Sequence, residues 1–247
     1  ADDFTSFGFF MEAFSKLRDN LYESQTVLPQ CKVIISEYCE GGSMRRWRCK
    51  QRSLAEWKSV LFMVLYTVSV MNNHLLLRHN DLHQANVLIS MYEPDVSRFF
   101  CYKINGNTYY LPCVGVFPKV WDFDWCFAPQ ILEKRKVTQR SQQHKENRGM
   151  MLKADVHRFM NHIHSTRRGY TPDEVIEFIE QLFPKEYLGK SSTQLRNYQL
   201  MHNADLRFVP TALDCLQHPF FAEFQTPQAM DSVVTPVYRC PDLVILQ

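Results

Sequence analysis

The sequence predicts an α+β fold, mainly helical, with a few short strands. Three observations carry that expectation. A long apolar run, Val60 to Met71, follows a capping box at Ser53-Leu54-Ala55-Glu56, where a hydroxyl and a carboxylate three residues apart satisfy the first free amides of a helix. Short β-branched runs, Lys32-Val33-Ile34-Ile35-Ser36-Glu37-Tyr38 and Asn86-Val87-Leu88-Ile89, read as strands. Asn105-Gly106 separates two further strand-like runs and supplies the positive φ angles that a tight hairpin turn requires.

The elements follow in order. Phe9 to Leu21 has apolar residues at near-helical spacing, and the strand over Lys32–Tyr38 is broken by Glu40-Gly41-Gly42-Ser43. The helix begun at Ser53 is expected to reach about Asn73. It is apolar on nearly every side, so it belongs at the centre of the core. Arg98 to Ile104 and Asn107 to Leu111 form the hairpin, and Val114 to Trp121 is a further strand. Gln130 to Lys153 is polar and aperiodic, the pattern of an exposed, mobile segment. Ala154 to His164 is helix-like. Thr171-Pro172-Asp173-Glu174 reads as a second capping box with proline at the first helical position. Thr211 to Gln217 is a short last helix, and the tail from Gln225 has no periodicity.

Composition limits the function classes. With 247 residues, 45% of them hydrophobic and 22% charged, the chain suits one large folded domain or two small ones. A net charge of +2 gives no reason to expect nucleic acid or an anionic membrane surface as a bulk partner. Eight cysteines without a CxxC pair point to free thiols in a reducing, intracellular compartment. The opening Ala1-Asp2-Asp3 is acidic, so no signal peptide is expected. The run Val60 to Met71 is shorter than the ~20 residues of a membrane span.

The chemistry concentrates in His79-Asn80-Asp81-Leu82-His83-Gln84-Ala85-Asn86. This polar loop follows the apolar helix and precedes a strand, and it holds an aspartate and an asparagine five residues apart. A second acidic stretch, Trp121-Asp122-Phe123-Asp124, ends a later strand. Phosphoryl transfer needs a carboxylate to orient the attacking hydroxyl and hard oxygen ligands for metal ions on the phosphates. Asp81 suits the first role, and Asn86 and Asp122 suit the second. The alternative is that Asp81 and Asn86 are turn-forming Asx residues in a surface loop. The HxDxxxxN pattern alone arises by chance in a chain of this length at a rate of about a few per cent. Its placement between helix and strand, with a later hydrophobic-Asp-Phe, is far more specific.

These residues resemble the catalytic and metal-binding loops of a eukaryotic-type protein kinase. Ile35-Ser36-Glu37-Tyr38-Cys39-Glu40-Gly41-Gly42 resembles the last small-lobe strand and hinge, and Asp155-Val156-His157-Arg158-Phe159 the start of a buried helix whose aspartate braces the catalytic loop. Leu216-Gln217-His218-Pro219-Phe220-Phe221 resembles the motif that closes the domain. The resemblance runs in order from about residue 32 to 221. It implies a protein-kinase-like fold with a small-lobe remnant over residues 1–38, a large lobe over 39–224 and a tail over 225–247. It further implies a Ser/Thr protein kinase using ATP and Mg²⁺ on a protein substrate, with Asp81 and His83 catalytic. Asn86 and Asp122 would hold the metal, and the backbone of Glu37 and Cys39 the adenine, beside a small gatekeeper, Ser36. The long hairpin, which sets Asp122 41 residues after Asp81, and His83 in place of the usual lysine make it most similar to kinases of large cytoplasmic DNA viruses. A viral origin would place it in the host cytoplasm or the virion.

Three departures stand against an enzyme. The chain has no GxGxxG and no VAIK-like lysine before Lys32; Lys16 lies on the first helix, where Glu12 could pair with such a lysine. The metal loop ends in Asp124 rather than glycine, and no Ala-Pro-Glu follows. A catalytically impaired binding or virion scaffold module is therefore the alternative. His157, His162 and His164 invite a zinc reading, but no matching cysteine or carboxylate set accompanies them. Lys134-Arg135-Lys136 with Arg140, Lys145 and Arg148 could hold a phosphate, or form a solvated loop.

Overall fold

The structure is a computed structural model that describes residues 37–128, 148–166, 170–189, 209–228 and 232–234, with side chains of the helix entering at 148 described from 153. The chain divides into two units, Ala1–Glu37 and Tyr38–Gln247. The expectations for Phe9–Leu21, Glu12, Lys16 and Ser36 fall outside the described residues, as does the Lys134 to Lys145 cluster.

Unit two is α+β. Its core is built on helix α2, Leu54–His74, which follows a short helix α1, Met44–Trp47. The Ser53 capping box forms as expected: the Glu56 amide donates to Ser53 Oγ at 3.2 Å, and the Ser53 amide donates to Glu56 Oε2 at 2.8 Å. α2 is long and apolar enough to cross a membrane, but most of its apolar stretch is buried inside the protein, among α3 (Arg148–Ser165), α4 (Asp173–Leu182), α5 (Ala212–Leu216) and a sheet. Phe62 sits at the centre of that core. Its ring meets Tyr109 at 4.9 Å, Phe221 at 5.4 Å, Phe224 at 5.6 Å and Tyr102 at 5.7 Å.

Two sheets flank the helices. In the first, β1 (Gly42–Ser43), β2 (Val87–Met91) and β5 (Val116–Val120) pair antiparallel in the order β1-β2-β5. In the second, β4 (Asn107–Cys113) and β6 (Val233–Val234) lie on either side of β3 (Asp95–Ile104). The hairpin turn is the expected one, with Asn105 at φ 49° and Gly106 at φ 77°. Pro112 and Pro118 sit on the edge strands β4 and β5, where the missing donor can face away from the sheet.

Several boundaries differ from expectation, each for a local reason. Asn86 belongs to a 3₁₀ turn, Gln84–Asn86, and the strand starts at Val87. α3 starts at Arg148, so the polar run assigned to a loop turns helical before Lys153. The capping box at Thr171 does not form. Pro172 takes the N-cap position with ψ 144°, the helix begins at Asp173, and Thr171 Oγ1 is left buried without a hydrogen-bond partner. A capping box that the sequence reading passed over forms instead at Thr211 and Asp214, where the Asp214 amide donates to Thr211 Oγ1 at 3.1 Å. Among the described residues, Cys39, Cys49, Cys101, Cys113, Cys126 and Cys215 are free thiols.

Candidate active site

The loop carrying Asp81 is fixed from below by Asp155. That carboxylate is buried on α3 and accepts the His79 amide at 2.7 Å and the Asn80 amide at 2.8 Å. Burial pushes the Asp155 carboxyl up; the two amides, His79 and Arg78 oppose that shift. Each partner supports the other, because the amides would otherwise be donors without acceptors in the interior. Arg78 extends the anchoring with a two-way backbone bridge to Phe127 at 2.9 and 2.8 Å and a guanidinium 4.7 Å from the Phe127 ring.

Asp81 and Asn86 are tied within the loop, where Asn86 Nδ2 donates to the Asp81 carbonyl oxygen at 3.0 Å. The Trp121 amide donates to the Asn86 carbonyl at 2.9 Å and continues the β2–β5 ladder by one rung, which brings Asp122 to this loop from the neighbouring strand. His79 holds that segment from both sides of Asp122. Its Nε2 meets the Trp121 carbonyl at 2.9 Å, so Nε2 carries the hydrogen, and its ring lies 5.1 Å from that of Phe123. Asp122 has φ 65°, a left-handed backbone that Asp adopts more readily than most residues, and makes no capping bond to the Phe123–Trp125 turn it precedes. Asp124 is exposed.

His83 has a defined tautomer. Its Nδ1 accepts the Ala85 amide at 3.2 Å, so in the neutral ring Nε2 carries the hydrogen, and Nε2 lies 3.8 Å from Asp81 Oδ2. On the other side of Asp81, Arg158 of α3 forms an ion pair with Oδ1 and donates to the Asn80 carbonyl at 3.1 Å. Sequence reasoning missed Arg158 as a site residue. The available signal was its position three residues after Asp155, which places both on one helical face. Asn80 was also missed. It has φ 61°, and its side chain donates to the Trp125 carbonyl at 2.9 Å, linking the two loops.

At the hinge-like segment Glu37 and Tyr38 are exposed and Cys39 is buried. The Cys39 carbonyl accepts the Gly42 amide at 2.9 Å. The three histidines of α3 diverge: His157 bonds the Tyr187 carbonyl at 2.8 Å, His164 bonds Glu180 at 3.0 Å, and the His162 ring lies 5.6 Å from that of His83, tilted by 32°. No group of three or more His, Cys, Asp or Glu side chains that could hold a metal exists among the described residues.

The site thus joins an aspartate loop, the asparagine of the turn that ends it and a second aspartate just past a paired strand, over a buried aspartate brace. In sequence the chain resembles the protein-kinase superfamily. No family model matches it. Among curated proteins it is similar to the "Putative serine/threonine-protein kinase R400" of Acanthamoeba polyphaga mimivirus, 24% identical over 212 residues, which covers 79% of this chain and 44% of that protein. The chain therefore spans less than half the length of that relative. Among solved structures it is similar to the Rad53 kinase domain with SCD2, at 17% identity and a TM-score of 0.34, over 75% of this chain and 63% of that one. The same protein in complex with AMPPNP gives 16% identity and a TM-score of 0.34, over 75% and 67%. Superpositions at that score do not define a shared fold.

Proposed function

We propose that this chain carries the catalytic lobe of a protein kinase that transfers the γ-phosphate of ATP to a protein Ser or Thr hydroxyl. The observation that carries the reading is the joining of Asp81, Asn86 and Asp122 through the Asn86–Asp81 and Trp121–Asn86 bonds, over Asp155. The donor set fits Mg²⁺. Asn86 uses its amide nitrogen on Asp81 and keeps its carbonyl oxygen, and the Asp122 carboxylate is not engaged in capping. Mg²⁺ favours one or two protein oxygens, with phosphate and water completing the shell. When bound, the ion neutralises charge on the transferring phosphoryl group. Asp81 orients the acceptor hydroxyl and takes its proton, and His83 and Arg158 hold the carboxylate in place. The backbone at Glu37 and Cys39 is the proposed adenine contact.

A second reading, an impaired kinase serving as a binding module, is favoured by one observation: Arg158 already occupies the carboxylate that would accept the proton. Thermal shift with ATP, with and without Mg²⁺, combined with radiolabelled phosphate transfer, separates the two. The enzyme reading expects a Mg²⁺-dependent shift that Asp122→Asn abolishes, and transfer that Asp81→Asn abolishes. A shift that survives Asp122→Asn, with no transfer by the unaltered chain, would establish the binding module.

A further inference from the structure

Basic side chains gather around Asp81. His83 faces the carboxylate, and its ring lies 5.6 Å from that of His162 on α3. Arg158, one turn earlier on α3, pairs with Asp81 and stays partly open to solvent, its side chain 31% exposed. Arg45 is exposed on α1, which packs on the turn Gln84–Asn86. Arg48 fixes this arrangement. It is buried and donates to Gln84 Oε1 at 2.9 Å and Thr166 Oγ1 at 2.8 Å, clamping α1 to the catalytic loop and to the end of α3. The field of the group is visible at His162, whose imidazole is pushed down to about 4 by burial first, then by His83, Arg48, Arg45 and Arg158.

We infer that this basic face, formed by Arg45, His83, Arg158 and His162, receives an anionic side chain of the protein substrate, a carboxylate or a phosphoserine placed within a few residues of the acceptor hydroxyl. The inference rests on the protein-kinase reading and names its substrate class. The two arginines carry the charge of this face, because His162, held down at about 4, is neutral near pH 7, and an anion seated beside the exposed Arg45 and the partly open Arg158 gains from both guanidinium groups. Guanidinium groups supply the fork of donors that carboxylate and phosphate accept. The small net charge of the chain favours a local acidic determinant over a polyanion such as nucleic acid.

The test is fluorescence anisotropy with matched serine peptides flanked by phosphoserine, glutamate, alanine or lysine, using the whole 247-residue chain without nucleotide. The phosphoserine peptide is expected to bind about 10-fold more tightly than the alanine peptide, with glutamate between them and lysine weakest. Arg45→Glu, at an exposed position, is expected to keep the melting temperature and bring the four peptides within about 2-fold of one another. In the unaltered chain the His162 imidazole, followed by NMR, titrates at higher pH once the phosphoserine peptide is bound, because a nearby anion favours the protonated ring. Binding of no peptide, equal binding of all four, an acidic preference that Arg45→Glu leaves intact, or an unmoved His162 each overturns the inference. Acidic preference without phosphate transfer leaves it standing and counts against the enzyme reading alone.

Discussion

Asp155→Ala removes the brace beneath the catalytic loop. Asp155 is 1% exposed and accepts two backbone amides, from His79 at 2.7 Å and Asn80 at 2.8 Å. Alanine leaves both donors buried and unpaired. A stranded donor costs about 1–3 kcal/mol, so the pair together with the small cavity gives an expected loss of about 3–5 kcal/mol. That is a large part of the roughly 5–15 kcal/mol that stabilises a typical domain. Asp155→Asn keeps the volume but presents one acceptor and one donor, so it satisfies one amide and opposes the other. Its loss should fall about half-way. Urea unfolding measures both variants, and hydrogen exchange at the His79 and Asn80 amides localises the effect. The reasoning fails if Asp155→Ala costs less than about 1 kcal/mol, or if those two amides exchange no faster than before.

Other outcomes follow from the same geometry. Phe62→Ala, which empties the centre of the aromatic cluster, should cost about 3–5 kcal/mol in urea unfolding; a loss under about 1 kcal/mol would mean that the ring is not the core's keystone. Gly41→Ala would place a Cβ 2.8 Å from the Ile89 carbonyl oxygen and 2.9 Å from its Cβ, forcing β1 away from β2. The expected cost is about 1–3 kcal/mol, read as a lower melting temperature, and an unchanged one refutes the contact. His162 titrates at about 4 in the folded chain against 6.5 unfolded, so the unfolded state binds more protons between those values. Its contribution is complete above pH 6.5 and is lost as pH falls towards 4. Because the ring is only half buried, about 1–2 kcal/mol is expected, and His162→Gln should flatten that part of the stability profile.

Much of the site could be read before any coordinates. The Asp81-to-Asn86 spacing, the helix before it and the strand after it are local patterns; the helix stands where the sequence puts it, and the strand starts one residue later, at Val87. What local pattern did not show depends on partners far away in sequence. The Asp155 brace, 76 positions after His79, was expected from the family resemblance and stands where that resemblance puts it, whereas Arg158, which reaches the Asn80 carbonyl across 78 positions, was not expected. Neither residue is marked locally as a partner for the loop. Thr171 illustrates the same limit: its motif permits a cap, but the extended backbone at Pro172 starts the helix one residue later.

By itself the sequence determined the elements whose bonds close within a few residues: the capped central helix, the Asn105-Gly106 hairpin and the Asp81-to-Asn86 loop. Hydrophobic period and turn chemistry suffice there, because each interaction spans one turn of chain. Only the tertiary structure decided that Asp122 takes a left-handed backbone between contacts made by His79, that Arg158 closes on Asp81, and that the His83 and His162 rings meet. Those outcomes depend on how α1 and α3 pack against the loop, which no local pattern encodes. Burial then gives the interactions their weight, since a charge or a donor taken out of water must find its partner within the protein.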